Sequence, residues 1–427
     1  MKKTRATVYK EKALLVGVSK QNTYPKISQQ KDKILSELKA LAQTAGACIL
    51  DEVIQHKNHP DPAYYIGRGK AEEIVQLVRE LSIDVVIFDN NLTLAQIRNL
   101  ERILNTKVID RAELILDIFA THARTRQAKL QVELAQLEYS LPRLKRLWTH
   151  LSRIEGGISI GQRGPGEKQI EIDRRLAHKR ITRLRNELKK LQARRHRETI
   201  ARRDNFNICL VGYTNTGKST LINTLTQTGQ LVENKLFSTL DTKTRIWKLP
   251  DGQKVLLSDT VGFISHLPHH LISSFHATLE ETKKANLLLH IADASHPEVS
   301  EQIEIVHQVL AELDCLSIPR RLIFNKIDQI DNLQRALLSK RFPETIFISA
   351  LQNTGLNHLE QEVKSLIDAD QQEITFLVPL NNGSLIAYFK RHSKLLSESY
   401  SDSHLKLTTR MSLRDIALVK KQGAIQI

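Results

Sequence analysis

The chain of 427 residues is expected to adopt an α/β fold. Three observations predict it. A buried strand, a glycine loop and a helix follow one another across Phe206–Val211, Gly212–Ser219 and Thr220–Leu225. Short apolar runs alternate with amphipathic stretches over residues 1–115. Between the two regions, leucines recur at helical spacing in two long stretches. The pattern divides the chain into four parts: an N-terminal α/β subdomain (1–115), a basic antiparallel helical hairpin with a Gly-rich tip loop (116–203), a central domain with a mixed, mostly parallel sheet (204–370) and a small C-terminal α+β module (371–427).

In the N-terminal part, Ala13–Gly17, Ala47–Leu50 and Asp84–Phe88 read as strands, and Lys31–Thr44 and Ala71–Leu81 as helices. The turn Tyr65-Ile-Gly-Arg-Gly-Lys70 has two readings. One is an anion-binding turn, which would make it a second nucleotide site. The preferred one is a helix N-cap turn with a basic surface.

The net charge of +16 has a local source. Arg174–Arg203 holds 13 Lys/Arg and two Glu, which is +11 of the total. In that stretch Ala177, Ile181, Leu184, Leu188 and Leu191 step by 4, 3, 4 and 3, as do Leu130, Leu134, Leu137, Leu141 and Leu144 upstream. This is the spacing of coiled-coil packing. Two such helices predict an antiparallel hairpin, with Pro142 expected to kink the first near its end. The connection (Gly156, Gly157, Gly161, Gly164, Gly166) is glycine-rich, basic at Arg163 and expected to be mobile. A charge run is ordinarily a solvated face. Charge of one sign on this scale favours nucleic acid, and the scarcity of aromatics (Tyr139, Trp148) favours phosphate contacts over base stacking.

In the central part, Gly212-Tyr213-Thr214-Asn215-Thr216-Gly217-Lys218-Ser219 fits a phosphate-binding loop. Its backbone N–H groups would point at phosphate oxygens, Lys218 would reach the β- and γ-phosphates, and Ser219 would ligate Mg²⁺. Asp259-Thr260-Val261-Gly262 follows the apolar run Val255–Ser258, which places a Mg²⁺-holding carboxylate at Asp259 and a γ-phosphate N–H at Gly262. Asn325-Lys326-Ile327-Asp328 follows the strand Arg321–Phe324. Asp328 can accept from both the ring N–H and the amino group of guanine, a donor pair that adenine lacks, so GTP is expected over ATP. Ser349-Ala350-Leu351 would close over the base with backbone N–H groups. Phe237-Ser238-Thr239-Leu240-Asp241 reads as a switch segment, with Thr239 chosen as the Mg²⁺ ligand and Thr242 and Thr244 as competitors.

Lys218, Thr239 and Gly262 are the candidate catalytic residues, and Ser219, Thr239 and Asp259 the candidate metal ligands. Each short match has a bland counterpart, a routine strand-end turn, but together and in order they predict a P-loop GTPase domain. Phe263 stands where many GTPases carry a glutamine that orients the attacking water. It can make no such hydrogen bond, so hydrolysis without a partner is expected to be slow.

After residue 370 come a strand (Ile374–Val378), a helix (Ser384–His392), an alternating strand (Leu405–Met411) and a helical end. Cys48, Cys209 and Cys315 lack metal or disulfide spacing, which points to a reducing cytoplasm. No apolar run reaches the ~18 residues of a membrane span, and none follows the basic N-terminus as in a signal peptide.

The whole chain resembles the HflX family of ribosome-associated GTPases. Gly212–Thr220 is similar to the family's phosphate loop, Leu236–Asp241 to its switch I, and Asp259–Phe263 to its third motif with the hydrophobic residue in place of glutamine. Tyr65–Lys70, Leu130–Gln136, and Arg163-Gly-Pro-Gly-Glu167 followed by Gln169 resemble signatures outside the nucleotide domain. Thr216 and Lys168 depart from the family pattern, which more often has alanine and threonine there. The resemblance implies binding to the large (50S) ribosomal subunit and its ribosomal RNA through the hairpin 116–203, directed towards the peptidyl-transferase region. It implies splitting or rescue of stalled ribosomes under stress, or a part in ribosome biogenesis, with hydrolysis stimulated by the ribosome. A monomer is expected. The alternative is an RNA-binding assembly factor that uses GTP mainly as a binding switch.

Overall fold

In this computed structural model, residues 10–19, 35–155, 165–200, 206–227, 237, 244–250, 252–265, 282–369, 371–401 and 403–427 are described. The four N-terminal strands form one sheet whose two central strands are apolar on both faces, as buried parallel strands must be, while the two outer strands carry polar residues. The four are β1 (Lys12–Ser19), β2 (Cys48–His56), β3 (Val85–Phe88) and β4 (Lys107–Asp110), all parallel in the order β2-β1-β3-β4. Alternate residues serve opposite layers. Leu14, Val16, Val86 and Phe88 pack with Ile74 of α2 (Arg68–Glu80) and Leu100 of α3 (Leu94–Leu104). Leu15, Val85 and Ile87 pack with Leu38 of α1 (Ser36–Ala45) and Ile115 of α4 (Arg111–His122). Thr93 and Gln96 form a reciprocal capping box on α3, and Asp110 caps α4 through Glu113 N–H at 2.9 Å. Because α4 runs through residue 115, the expected boundary there cuts a helix; the hairpin begins at Arg126.

The hairpin is α5 (Arg126–Glu155) and α6 (Pro165–Ile200). Its leucine spacing produces a seam in which Leu134, Ile181, Leu184 and Leu188 are buried, flanked by Leu130, Leu137 and Leu141. The helices are antiparallel: Glu133 pairs with Arg180 at 2.6 Å, and seven residues earlier Arg126 pairs with Glu187, seven residues later on α6. α5 continues through Pro142 to Glu155, so the proline lies inside the helix and not near its end. Residues 156–164, the predicted tip, lie outside the described residues.

The central sheet runs β10-β9-β8-β5-β7-β6. Its strands are β5 (Phe206–Gly212), β6 (Thr244–Lys248), β7 (Lys254–Asp259), β8 (Leu287–Asp293), β9 (Arg320–Asn325) and β10 (Ile346–Phe347). All pairs are parallel except β6 with β7, so the sheet is mixed and mostly parallel, as predicted. Helices α7 (Lys218–Thr226), α8 (Val299–Glu312), α9 (Asn332–Arg341) and α10 (Leu356–Ala369) accompany it. The C-terminal module is an antiparallel sheet β12-β13-β11-β14, formed by β11 (Gln371–Pro379), β12 (Lys394–Tyr400), β13 (His404–Ser412) and β14 (Ile425–Gln426). With α11 (Gly383–His392) and α12 (Leu413–Lys421) it follows the split β-α-β order β-α-β-β-α-β.

One core crosses the domain borders. It joins Ile115 and Phe119 of α4, Ala128, Val132 and Ala135 of α5, and Val211, Phe263, Leu288 and Leu310 of the central domain. Phe119 meets Phe237 edge-on at 4.6 Å, a pairing worth ~0.5–1.5 kcal/mol beyond burial.

Candidate nucleotide site

The phosphate loop leaves β5 at Gly212, whose φ of 153° and 2.2 Å approach of a virtual Cβ to Ile291 O admit glycine alone. It enters α7 at Gly217, where φ is 89° and a Cβ would strike Asn325 Nδ2. N–H groups at the start of α7 thus face the loop. The Lys218 ammonium is buried and donates to Gly212 O at 3.0 Å and Tyr213 O at 2.6 Å. Burial pulls it down to about 8, against the pull of Asp259. A phosphate would supply the negative charge this buried cation lacks.

Ser219 Oγ donates to Asp259 Oδ2 at 2.8 Å. A hydroxyl and a carboxylate side by side are hard oxygen donors that fit Mg²⁺, which takes few protein ligands besides phosphate and water. A Cβ on Gly262 would lie 3.1 Å from Lys218 Nζ and 2.8 Å from Thr214 Cα, so this residue closes on the loop. The loop is also strapped to it: Thr214 N donates to Phe263 O at 2.8 Å, and Phe263 N to Gly212 O at 3.1 Å. The Phe263 ring is buried in the shared core, and Thr260 Oγ1 ties back to Leu210 O at 2.6 Å.

Asn325 joins the parts of the site. Its Nδ2 donates to Thr216 O at 2.8 Å, and its Oδ1 accepts from Ala350 N at 3.0 Å. Lys326 pairs with Asp293 at 2.6 Å, and Asp328 is exposed on the short 3₁₀ turn Ile327–Gln329. Of the N–H groups expected to close over the base, those of Ser349 and Ala350 are already taken, by Thr354 O and Asn325 Oδ1. Leu351 is exposed. Ser238, Thr239, Leu240, Asp241 and Thr242 lie outside the described residues, whereas Thr244 sits in β6 with its hydroxyl on Ser258 Oγ at 2.9 Å, paired into a sheet.

Sequence reading missed Asp293, although it ends a buried strand as Asp259 does. It also missed Glu37 and Ser265, which meet Tyr213 from positions far apart in the chain, and Arg111, which reaches Glu37 and Ser265 beside them. The turn at Tyr65–Lys70 behaves as the N-cap reading expects. Gly67 caps α2, and the two basic residues pair with Glu72 and Glu73 of the same helix. No helix among the described residues is long and apolar enough to cross a membrane.

Comparison with known proteins agrees with this geometry. Residues 32–120 match a family described as GTP-binding GTPase N-terminal, residues 122–202 one described as GTP-binding GTPase middle region, and residues 207–326 one described as 50S ribosome-binding GTPase. The chain is 41% identical over 400 residues to a GTPase HflX of Caldanaerobacter subterraneus subsp. tengcongensis, covering 93% of this chain and 90% of that protein. It is 41% identical over 401 residues to a GTPase HflX of Escherichia coli, covering 92% and 94%.

Proposed function

Because this chain belongs to the HflX family of GTPases, we propose that it hydrolyses GTP on the large ribosomal subunit and so splits or rescues stalled ribosomes. The observation that supports partner-driven hydrolysis is the burial of Phe263. The side chain in the water-orienting position is buried in the shared core and has no group that can hydrogen-bond a water. Lys218 and the loop N–H groups hold the phosphates, Gly262 N–H takes the γ-phosphate, and Asp328 selects guanine. Ser219, Asp259 and Thr239 hold Mg²⁺, which when bound neutralises charge on the phosphates. The attacking water is then ordered from outside the chain.

The hairpin supplies the contact with RNA. Arg174, Arg175, Lys179, Lys189 and Lys190 are all exposed along α6, a row suited to phosphates and not to bases. Single-turnover hydrolysis with and without purified large subunits tests the proposal. The subunits should raise the rate roughly tenfold or more, as groups supplied in trans do for P-loop GTPases, and the affinity should fall log-linearly with salt. A rate indifferent to the subunit rules the reading out.

A further inference from the structure

The border between the N-terminal and central domains carries a polar network where apolar packing would suffice. Glu37, in the first turn of α1, accepts from Tyr213 Oη on one carboxylate oxygen. On the other it accepts from Ser265 Oγ at 2.5 Å and from Arg111. Ser265 N–H donates to Tyr213 Oη at 2.7 Å. Arg111 is 2% exposed, reaches Asp89 at 2.5 Å, and donates to Ser265 Oγ at 3.0 Å and Ser265 O at 3.3 Å. Burial works against its charge, and the two carboxylates Glu37 and Asp89 outweigh it. Burial, then Glu37, pushes the Tyr213 phenol well above its ordinary range, so it donates at neutral pH.

The network's ends are informative. Tyr213 belongs to the phosphate loop, and Ser265 lies three residues beyond Gly262. The residue before Arg111 is Asp110, which caps α4 and accepts from Tyr139 Oη of the hairpin helix α5. Desolvating such a cluster is costly, and apolar residues would have glued the border at least as well.

We propose that Glu37 is a positioning residue for GTP hydrolysis: its carboxylate, presented by the N-terminal domain, fixes Tyr213 and Ser265 and so holds Gly262 in place for the γ-phosphate. The hairpin-bearing half of the molecule thereby sets the hydrolysis rate through Asp110, Arg111 and Glu37. This rests on the reading that Gly212–Ser219 and Gly262 hold the phosphates.

The test measures kcat and KM for GTP in the full chain, with large subunits present. Glu37→Ala should lower kcat about tenfold with KM within about twofold, since slight misplacement of a reacting geometry is felt in rate. Glu37→Gln, which keeps an acceptor oxygen for one of the two hydroxyls and turns an amide donor to the other, should recover only part of the loss. Tyr213→Phe removes one hydroxyl without stranding Arg111 and should lower kcat about threefold. If the two act as a unit, the Glu37→Ala/Tyr213→Phe double variant is no slower than Glu37→Ala alone. Unchanged kcat in both single variants, or additive losses, overturns the proposal. Lys218→Ala separates it from the underlying site reading: undiminished binding of a non-hydrolysable GTP analogue by that variant rejects the site, whatever Glu37 does.

Discussion

His290 shows how much one buried group can decide. It stands mid-strand in β8, and burial, then the charges of Lys218, Arg320 and His307, hold its imidazole down to about 3. An unfolded chain takes up this proton near pH 6.5. The folded pKa is depressed, so the unfolded state binds more protons between about 3 and 6.5, and the fold loses stability as the pH falls through that window. The slope is at most ~1.4 kcal/mol per unit. Relative to His290→Leu, the native protein should lose about 2 kcal/mol between pH 7 and pH 5, measured by chemical denaturation. Parallel pH profiles for the two proteins would refute this. The same scale shows what sequence could reveal. Gly212, Gly217, Lys218 and Asp259 were legible because their spacing is local and the chemistry fixes the residue types. Asn325 was legible as part of a nucleotide motif but not as the bridge between Thr216 and Ala350. That role depends on contacts 109 and 25 residues away in the chain.

At the scale of elements, the hairpin was readable because its two helices pack on each other, so the heptad spacing records the partner directly. Where an element packs on a distant sheet, the record is weaker. α4 escaped notice, and the expected boundary at residue 115 fell inside it, because α4 is buried on so much of its surface that its apolar residues show no clear stripe. The seam offers a test of its own. Leu184 is fully buried between Ile181, Leu188 and Leu134. Leu184→Ala should cost ~2–5 kcal/mol locally. It should speed hydrogen exchange over residues 174–194 and leave nucleotide affinity unchanged. Exchange at the native rate would mean that the ion pairs, not the apolar seam, hold the helices together. Those pairs involve exposed arginines, and such pairs are usually worth less than about 1 kcal/mol each.

At the scale of the molecule, one hydrophobic core serves three parts of the chain, and this was not legible from a sequence read part by part. Each part has a plausible core of its own, and only the fold shows that Phe119, Val132 and Phe263 share one. That sharing has a consequence for the order of synthesis. Phe119 leaves the ribosome 118 residues ahead of its partner Phe237. At roughly 5–20 residues per second the wait is on the order of ten seconds. During it the nascent N-terminal half carries an unfinished apolar face next to a strongly basic hairpin. A fragment ending at residue 203 should therefore bind a hydrophobic dye that the full chain does not, and a dye-silent fragment would show that the half closes on itself. The chain is thus born with a sticky, positively charged intermediate beside a surface made of RNA, and the arrival of the central domain both caps the core and ends that exposure.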